Sequence, residues 1–208
     1  MNTSAPIVGL FGSSHIYHYP LDLFHSIKIH PIIISSSPKN IAAINRQNTV
    51  QHTIKRIQRH NITLDKIVIL IGGNDIGTLT PIQIIQGIIH IANSFSNINI
   101  QPIIVPIFNR LKPFNITESQ YNTGRNKINK HLRLHYKKLH QHNILRIHNL
   151  RLDEDGVHLT RQGYITLTKA IKHHIKPSNI PKHIIQLPPG HYHHNNEEII
   201  INIVEEKL

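Results

Sequence analysis

The chain has 208 residues, enough for one domain with a sizeable core. It carries 23 Lys and Arg against 11 Asp and Glu, a net charge of +12 at pH 7 with His neutral, and it contains 19 His and no Cys. The absence of Cys excludes a disulfide framework, a thiolate metal site and a cysteine nucleophile. The positive charge favours binding to polyanions, nucleic acid above all, although a solvated basic surface without a partner explains it equally well.

The N-terminal segment, residues 1–11, has neither a basic start nor a small-residue cleavage site, so we predict no signal peptide. The longest apolar runs fall short of the roughly 18 to 20 residues that a membrane span needs. We therefore expect an intracellular, cytoplasmic protein with no membrane span.

Short runs rich in Ile and Val alternate with longer segments of helical period. The runs are typical of buried strands and lie at residues 5–11, 28–34, 66–71, 100–107 and 143–147. The predicted helices lie at residues 20–26, 39–60, 81–96, 118–142 and 159–175. In the fourth of them, one face carries the apolar residues Tyr121, Ile128, Leu132, Tyr136 and Leu139. The alternation indicates βαβ units and hence an α/β fold with a parallel sheet.

Beyond Lys176 the chain is rich in Pro and His. We predict a domain at residues 1–176, followed by a linker and C-terminal tail at 177–208 whose apolar end is available for homo-oligomer contacts. The tail holds a candidate metal cluster at His191, His193 and His194. Because no carboxylate or Cys at metal-site spacing supports it, we interpret the cluster as polar tail and predict no metal site.

Three polar motifs each follow a predicted strand and are, in chain order, Gly12-Ser13-Ser14-His15, Gly72-Gly73-Asn74-Asp75 and Asp155-Gly156-Val157-His158. The carboxyl ends of parallel strands lie at one edge of a sheet, where α/β proteins build their sites. We therefore expect the three motifs to meet in one crevice.

The residue types in these motifs suit nucleophilic catalysis. His158 is a candidate general base for Ser14, and Asp155 a candidate to orient its imidazole. The backbone N–H of Ser14 and the side-chain amide of Asn74 are candidate donors to a developing oxyanion. Each motif alone has a plainer interpretation, as a helix N-cap or a turn. Their conjunction favours catalysis.

In this order and at these spacings, the motifs resemble those of the SGNH (GDSL-like) hydrolases. The first, with Phe11 before it, looks like the nucleophile block, the second matches the third block and the last matches the fifth, with Gly163-Tyr164 also family-like. The resemblance covers about residues 6 to 175. It implies a flavodoxin-like, three-layer α/β/α fold with a five-stranded parallel sheet. It also implies a serine hydrolase that cleaves a small acyl ester, thioester or O-acetyl group through an acyl-serine intermediate, without metal or cofactor, with Ser14, Asp155 and His158 as the catalytic triad.

The sequence departs from the family pattern in two places. The usual first-block Asp is Ser13 here. The family's second block supplies a Gly whose N–H joins the oxyanion hole, but residues 36–49 contain no Gly. The equivalent position falls near Gln47, whose N–H can serve if its backbone conformation is compatible. The oxyanion hole predicted by the resemblance therefore consists of Ser14, Asn74 and Gln47.

A second hypothesis is an SGNH-like domain with weakened catalysis that binds nucleic acid or another polyanion, as part of a retroelement-type protein. Its candidate contacts lie on the predicted fourth and second helices and are Arg125, Lys127, Lys130, Arg133, Lys137 and Lys138, and Lys55, Arg56 and Arg59. A solvated helix face explains these residues as well. The intact triad and Asn74 favour the hydrolase, whereas the missing Gly and the charge favour the binding domain.

Overall fold

A computed structural model describes residues 7–25, 30–35, 40–46, 49–139 and 144–175. They form a four-stranded sheet of β1 (Ile7–Gly12), β2 (His30–Ser35), β3 (Lys66–Leu70) and β4 (Gln101–Ile104). The strand order is β2-β1-β3-β4, and every neighbouring pair is parallel. These strands correspond to the first four predicted runs, so the prediction of an α/β fold with a parallel sheet is confirmed.

The helices lie between and after the strands. They are α1 (Ser14–Tyr17), α2 (Asp22–His25), α3 (Ile41–Arg46), α4 (Thr49–Arg59), α5 (Pro81–Ser96), α6 (Glu118–Lys138) and α7 (Arg161–His174). The single helix predicted at residues 39–60 corresponds to α3 and α4. Residues 47 and 48, between the two, lie outside the described residues.

The two longest helices, α5 and α6, each begin with a capping box. At α5, the Thr80 hydroxyl accepts from the N–H of Gln83 and the Gln83 side chain accepts from the N–H of Thr80, at 3.3 and 2.9 Å. Thr117 and Gln120 repeat the arrangement at α6. Each box satisfies N–H groups that the first helical turn cannot pair. The start of α6, and with it the end of the loop after β4, is thereby fixed.

The sheet separates two apolar cores because successive strand side chains point to opposite faces. On one face Ile67 and Ile69 pack with residues of α3, α4, α5 and α6. On the other face Val68 and Leu70 pack with residues of α1, α2 and α7. The fold therefore has three layers, as predicted.

The apolar face predicted for α6 is buried except at its end. Tyr121, Ile128, Leu132 and Tyr136 are between 0 and 3% exposed, whereas Leu139 is 50% exposed. Leu139 differs because α6 ends at Lys138, before the predicted end at residue 142, and Leu139 is its C-cap.

The fifth predicted strand is reduced, in its described part, to a single bridge between Ile144 and Ile104. The N–H of Leu145 donates to the carbonyl of Ile104 at 3.0 Å. In a parallel ladder the next bond would come from the N–H of residue 106, but Pro106 has none. The described sheet therefore has four strands and one bridge instead of the five strands predicted.

Residues 176–208, with the predicted tail and its His cluster, lie outside the described residues. The domain boundary, the oligomer contact and the interpretation of the cluster as polar tail stay predictions. Among the helices that the structure describes, none combines the length and apolarity needed to cross a membrane.

Candidate active site

The first two motifs lie side by side because β1 and β3 are neighbours in the sheet. The N–H of Ser13, just past β1, donates to the carbonyl of Leu70 at the end of β3, at 3.0 Å. A Cβ added to Gly12 would lie 2.1 Å from that same oxygen. Only glycine allows this close approach, which brings the turn before Ser14 against β3.

The third motif forms a tight turn, residues 153–158, which we call the base loop. The N–H of Gly156 donates to the carbonyl of Asp153 and the N–H of Asp153 to the carbonyl of His158, at 2.9 and 2.8 Å. Gly156 has a φ of +67°, and a Cβ there would lie 3.0 Å from Cβ of Leu111. Both the conformation and the limited space favour glycine at this position.

The base loop brings Asp155 and His158 to Ser14. Nε2 of His158 lies 3.0 Å from Oγ of Ser14, and Nδ1 lies 2.5 Å from Oδ2 of Asp155. Because an ionised carboxylate only accepts hydrogen bonds, Nδ1 of His158 carries a proton. Nε2 of the neutral ring is then an acceptor for the Ser14 hydroxyl. This is the tautomer that a general base for Ser14 requires.

Hydrogen bonds within the same loop hold Asp155 in its ionised form. Its Oδ1 accepts from the N–H of Val157 and of His158, each at 2.8 Å. The bond from the Val157 N–H, together with the bonds from His158, keeps the pKa of Asp155 well below its usual range. Asp155 is therefore ready to stabilise a protonated His158 over a wide pH range.

The second motif divides its two polar side chains between different partners. Oδ1 of Asn74 accepts from Nη2 of Arg110 at 2.5 Å. Asp75 is 1% exposed, and its Oδ1 accepts from the N–H of Ile41, at the start of α3, at 2.9 Å. Asn74 thus contacts Arg110, whereas Asp75 fixes the start of α3. Gln47, the predicted third oxyanion donor, lies outside the described residues, so its role stays a prediction.

No family model matches the sequence, and no curated protein matches it either. Solved structures do match its fold. A GDSL-like lipase from Bacteroides thetaiotaomicron VPI-5482 aligns with a TM-score of 0.63 at 13% identity, over 84% of this chain and 89% of that one. A protein proposed to be an acylhydrolase, from Bacteroides fragilis NCTC 9343, aligns with a TM-score of 0.61 at 13% identity, over 83% and 90%. A protein proposed to be an SGNH hydrolase, from Slackia heliotrinireducens, aligns with a TM-score of 0.59 at 13% identity, over 80% and 99%.

The chain has the SGNH-hydrolase fold. The resemblance seen in the sequence is thereby confirmed at the level of the fold. In this structure the first motif contacts the end of β3 through Ser13 and Leu70, and the third motif through Ser14 and His158.

Sequence reasoning gave no role to His15. The structure places it between the base loop and the turn at residues 12–14, which we call the nucleophile turn. It is 5% exposed, and its Nε2 lies 3.1 Å from the carbonyl oxygen of Val157. Burial, and after it the nearby charge of Arg110, lowers the pKa of His15 to about 4. The ring is therefore neutral at pH 7, with its proton on Nε2, because a carbonyl only accepts. Its Nδ1 faces Oγ of Ser13 at 3.5 Å.

His15 thus ties the turn beside Ser14 to the residue before His158. Its ring centre lies 5.2 Å from the ring centre of His158. The ring centre of His18 lies 5.1 Å from that of His158. In a chain with 19 His, position next to the nucleophile was the one signal that could have singled out His15.

Arg110 was also missed. It lies on the loop after β4, residues 105–112, which we call the arginine loop. It lines a small pocket beside the nucleophile turn, whose polar lining residues are Ser13, His15, Arg110 and Tyr121. A cation just after the fourth strand, at the same sheet edge as the three motifs, was the available signal.

Proposed function

We propose that the protein is a serine hydrolase that cleaves a small ester, thioester or O-acetyl group through an acyl-serine intermediate. The observation that carries the proposal is the hydrogen-bonded series from Ser14 through His158 to Asp155, at 3.0 and 2.5 Å. The SGNH-hydrolase fold supports it independently.

In the acylation step, Oγ of Ser14 attacks the substrate carbonyl carbon while Nε2 of His158 takes the hydroxyl proton. Asp155 stabilises the imidazolium that forms. The tetrahedral intermediate then collapses, the bond to the leaving alcohol or thiol breaks, and His158 returns its proton to that group. The acyl group remains on Ser14.

In the deacylation step, His158 removes a proton from a water molecule, which attacks the acyl-serine carbonyl. A second tetrahedral intermediate collapses to release the carboxylic acid, and Ser14 regains its proton from His158. These residues complete both steps, so the proposed reaction needs no metal or cofactor.

The proposed oxyanion donors lie on the nucleophile side and on the β3 side of the site. Ser14 is the first residue of α1, where a backbone N–H has no acceptor within the helix. Asn74 follows β3, the neighbour of β1 in the sheet. We propose that the oxyanion accepts hydrogen bonds from the backbone N–H groups of Ser14 and Gln47 and from the side-chain amide of Asn74.

Hydrolysis of p-nitrophenyl acetate tests the proposal directly. We expect Ser14→Ala to abolish turnover above background, because the alanine has no nucleophile. Ser119→Ala is the matched control, since Ser119 is exposed on α6 and should leave turnover unchanged. If Ser14→Ala keeps the wild-type rate, other His side chains perform the hydrolysis and the proposal is wrong.

A second candidate function, binding of nucleic acid or another polyanion, is supported by exposed cations on α6. The exposed ones are Lys127, Lys130, Arg133, Lys137 and Lys138. None of the five forms an ion pair with a residue that the structure describes. Arg125 differs, because it is half-buried and burial lowers its pKa. Positions 127, 130, 133 and 137 share one helix face, as a phosphate-binding surface would require.

A further inference from the structure

Arg110 is a buried cation beside the proposed oxyanion site. It is 8% exposed, and its guanidinium carbon lies 5.6 Å from the ring centre of Tyr121. Among the described residues, no Asp or Glu forms an ion pair with it. Burying a charge without a counter-ion is costly, and contact with a ring face offsets only part of that cost. The position of Arg110 therefore calls for a functional explanation.

Helix α6 anchors the arginine loop just before Arg110. The side chain of Asn129 accepts from the N–H of Ile107 and donates to its carbonyl, each at 2.9 Å. The hydroxyl of Tyr121 donates to the carbonyl of Phe108 at 3.2 Å. Asn129 and Tyr121 are buried, so these bonds are protected from competition with water.

The base loop anchors the arginine loop just after Arg110. The N–H of Leu111 donates to the carbonyl of Gly156 at 2.8 Å, and Nζ of Lys112 donates to the carbonyl of Glu154 at 3.0 Å. Arg110 is thus held between two fixed points, one of which belongs to the loop that carries the general base. The backbone on both sides of Arg110 is therefore fixed, and its guanidinium contacts Asn74 and the ring of Tyr121.

The contact between Arg110 and Asn74 determines which way the Asn74 amide faces. A guanidinium only donates hydrogen bonds, so the amide atom 2.5 Å from Nη2 is the oxygen. The Nδ2 donors of Asn74 then lie on the other side of the amide. If Arg110 were removed, this preference for one orientation of the Asn74 amide would be lost.

We propose that Arg110 is a positioning residue that orients the Asn74 amide toward the oxyanion and adds positive charge to that side of the site. The proposal rests on the serine-hydrolase function proposed above. Arg110 forms no ion pair with a carboxylate among the described residues, so the negative charge of the tetrahedral intermediate would form beside a cation that no carboxylate pairs. Charge that is compensated only in the transition state lowers the barrier without tightening substrate binding.

This arrangement also bears on the missing second-block glycine. Residues 36–49 contain no Gly, the residue whose N–H the resemblance implies for the oxyanion hole. A cation acting through Asn74 strengthens a donor that is present.

The orientation of the amide is tested without any substrate. In ¹⁵N-labelled protein, the side-chain amide resonances of Asn74 are identified by their loss in Asn74→Ala. We expect these resonances to shift or broaden in Arg110→Met. They should stay in place in the control Arg133→Met, because Arg133 is exposed on α6. Backbone dispersion shows in the same spectrum that each variant is folded. Unchanged Asn74 resonances in folded Arg110→Met would overturn the proposal whatever the enzyme does.

Kinetics test the electrostatic part. We expect Arg110→Met to lower kcat roughly 10- to 100-fold, the range for loss of a charged hydrogen bond, with KM changed less than about twofold. Arg110→Lys, which keeps the charge, should recover part of the rate. In an Asn74→Ala background, Arg110→Met should lower kcat by less than it does in the wild type, because the part of its effect that acts through Asn74 is already lost.

Failure of the two proposals gives different results. If Ser14→Ala matches the wild type while Asn74 resonances respond to Arg110→Met, the hydrolase assignment fails and the positioning contact stands. If Ser14→Ala is inactive but Arg110→Met changes KM alone, or adds its full effect to that of Asn74→Ala, Arg110 has only a structural or substrate-binding role and the inference is wrong.

Discussion

The base loop and the arginine loop lie in contact at one edge of the sheet but are held in different ways. In the base loop the key bonds run between residues at most five apart, such as those from Val157 and His158 to Asp155. In the arginine loop they come from Asn129, 22 positions along the chain on α6, and from Gly156. A locally bonded loop carries its geometry in a short motif, whereas a loop held from outside depends on the whole fold.

The difference predicts unequal losses of activity, and the largest should come from the base loop. We expect His158→Ala to lower kcat by roughly 10⁴-fold or more, because Ser14 loses its base. The double variant with Ser14→Ala should be no worse than Ser14→Ala alone, since residues that act as one unit are not additive. Rates of p-nitrophenyl acetate hydrolysis measure both.

His90→Ala is the matched control for the base, because His90 is exposed on α5 and should leave the rate unchanged. A His158→Ala variant with wild-type kcat would remove the basis of the proposed mechanism.

The oxyanion side should show an intermediate loss. We expect Asn74→Ala to lower kcat by roughly 10²–10³-fold, the usual result of removing one oxyanion donor. Asn93→Ala, on the exposed side of α5, is the control. An equal loss in Asn74→Ala and His158→Ala, accompanied by a lower melting temperature in the former, would show that Asn74 supports the structure rather than the oxyanion.

The burial of His15 should appear as pH-dependent stability. The pKa of His15 is about 4 in the folded protein and 6.5 in the unfolded chain, so acid protonates the unfolded state first. The stabilisation due to neutral His15 is therefore complete above pH 6.5 and is lost as the pH falls toward 4. At 1.36 kcal/mol for each pH unit between the two values, the loss is about 3 kcal/mol.

His15→Gln, which keeps a donor for the Val157 carbonyl but does not titrate, should lack this part of the pH dependence. Urea unfolding of both proteins at pH 4, 5, 6 and 7 gives the two profiles. If their free energies of unfolding stay parallel over this range, folding does not lower the pKa of His15 and this part of the account is wrong.

The smallest effect on hydrolysis should come from α6. Changing Lys130, Arg133, Lys137 and Lys138 to Glu should leave kcat unchanged, because these side chains lie on the exposed face of that helix. If α6 binds nucleic acid, wild-type affinity should fall steeply between roughly 50 and 200 mM salt, and the four changes should flatten that slope.

Absence of binding at the low end of that salt range would exclude the polyanion function. Binding that the four substitutions do not alter would move the contact elsewhere, most directly to α4, where Lys55 and Arg59 are exposed.

The comparison also explains what the sequence could predict. Ser14, Asp155 and His158 could be found because each lies in a short motif after a strand, and a parallel sheet brings such positions to one edge. Gly12 and Gly156 belong to the same motifs because a Cβ at either would collide with a neighbouring segment. In these motifs, sequence spacing and spatial contact coincide.

Arg110 and the end of the fifth strand could not be found in this way. Arg110 belongs to no motif, and its place depends on Asn129 and Tyr121, whose inward positions follow from the packing of α6. The extent of the fifth strand depends on the hydrogen-bonding groups that β4 offers to it, and β4 ends before Pro106. Both are settled by contacts between distant segments, which local patterns do not record.

Covalent labelling of Ser14 by a fluorophosphonate probe tests the central claim most directly, because the reaction needs the nucleophile, the base and the oxyanion donors together. The account predicts one adduct, located at Ser14 by mass spectrometry of the digested protein. The adduct should be absent in Ser14→Ala and form much more slowly in His158→Ala. No labelling of the folded wild type, or an adduct that persists in Ser14→Ala, would contradict the account.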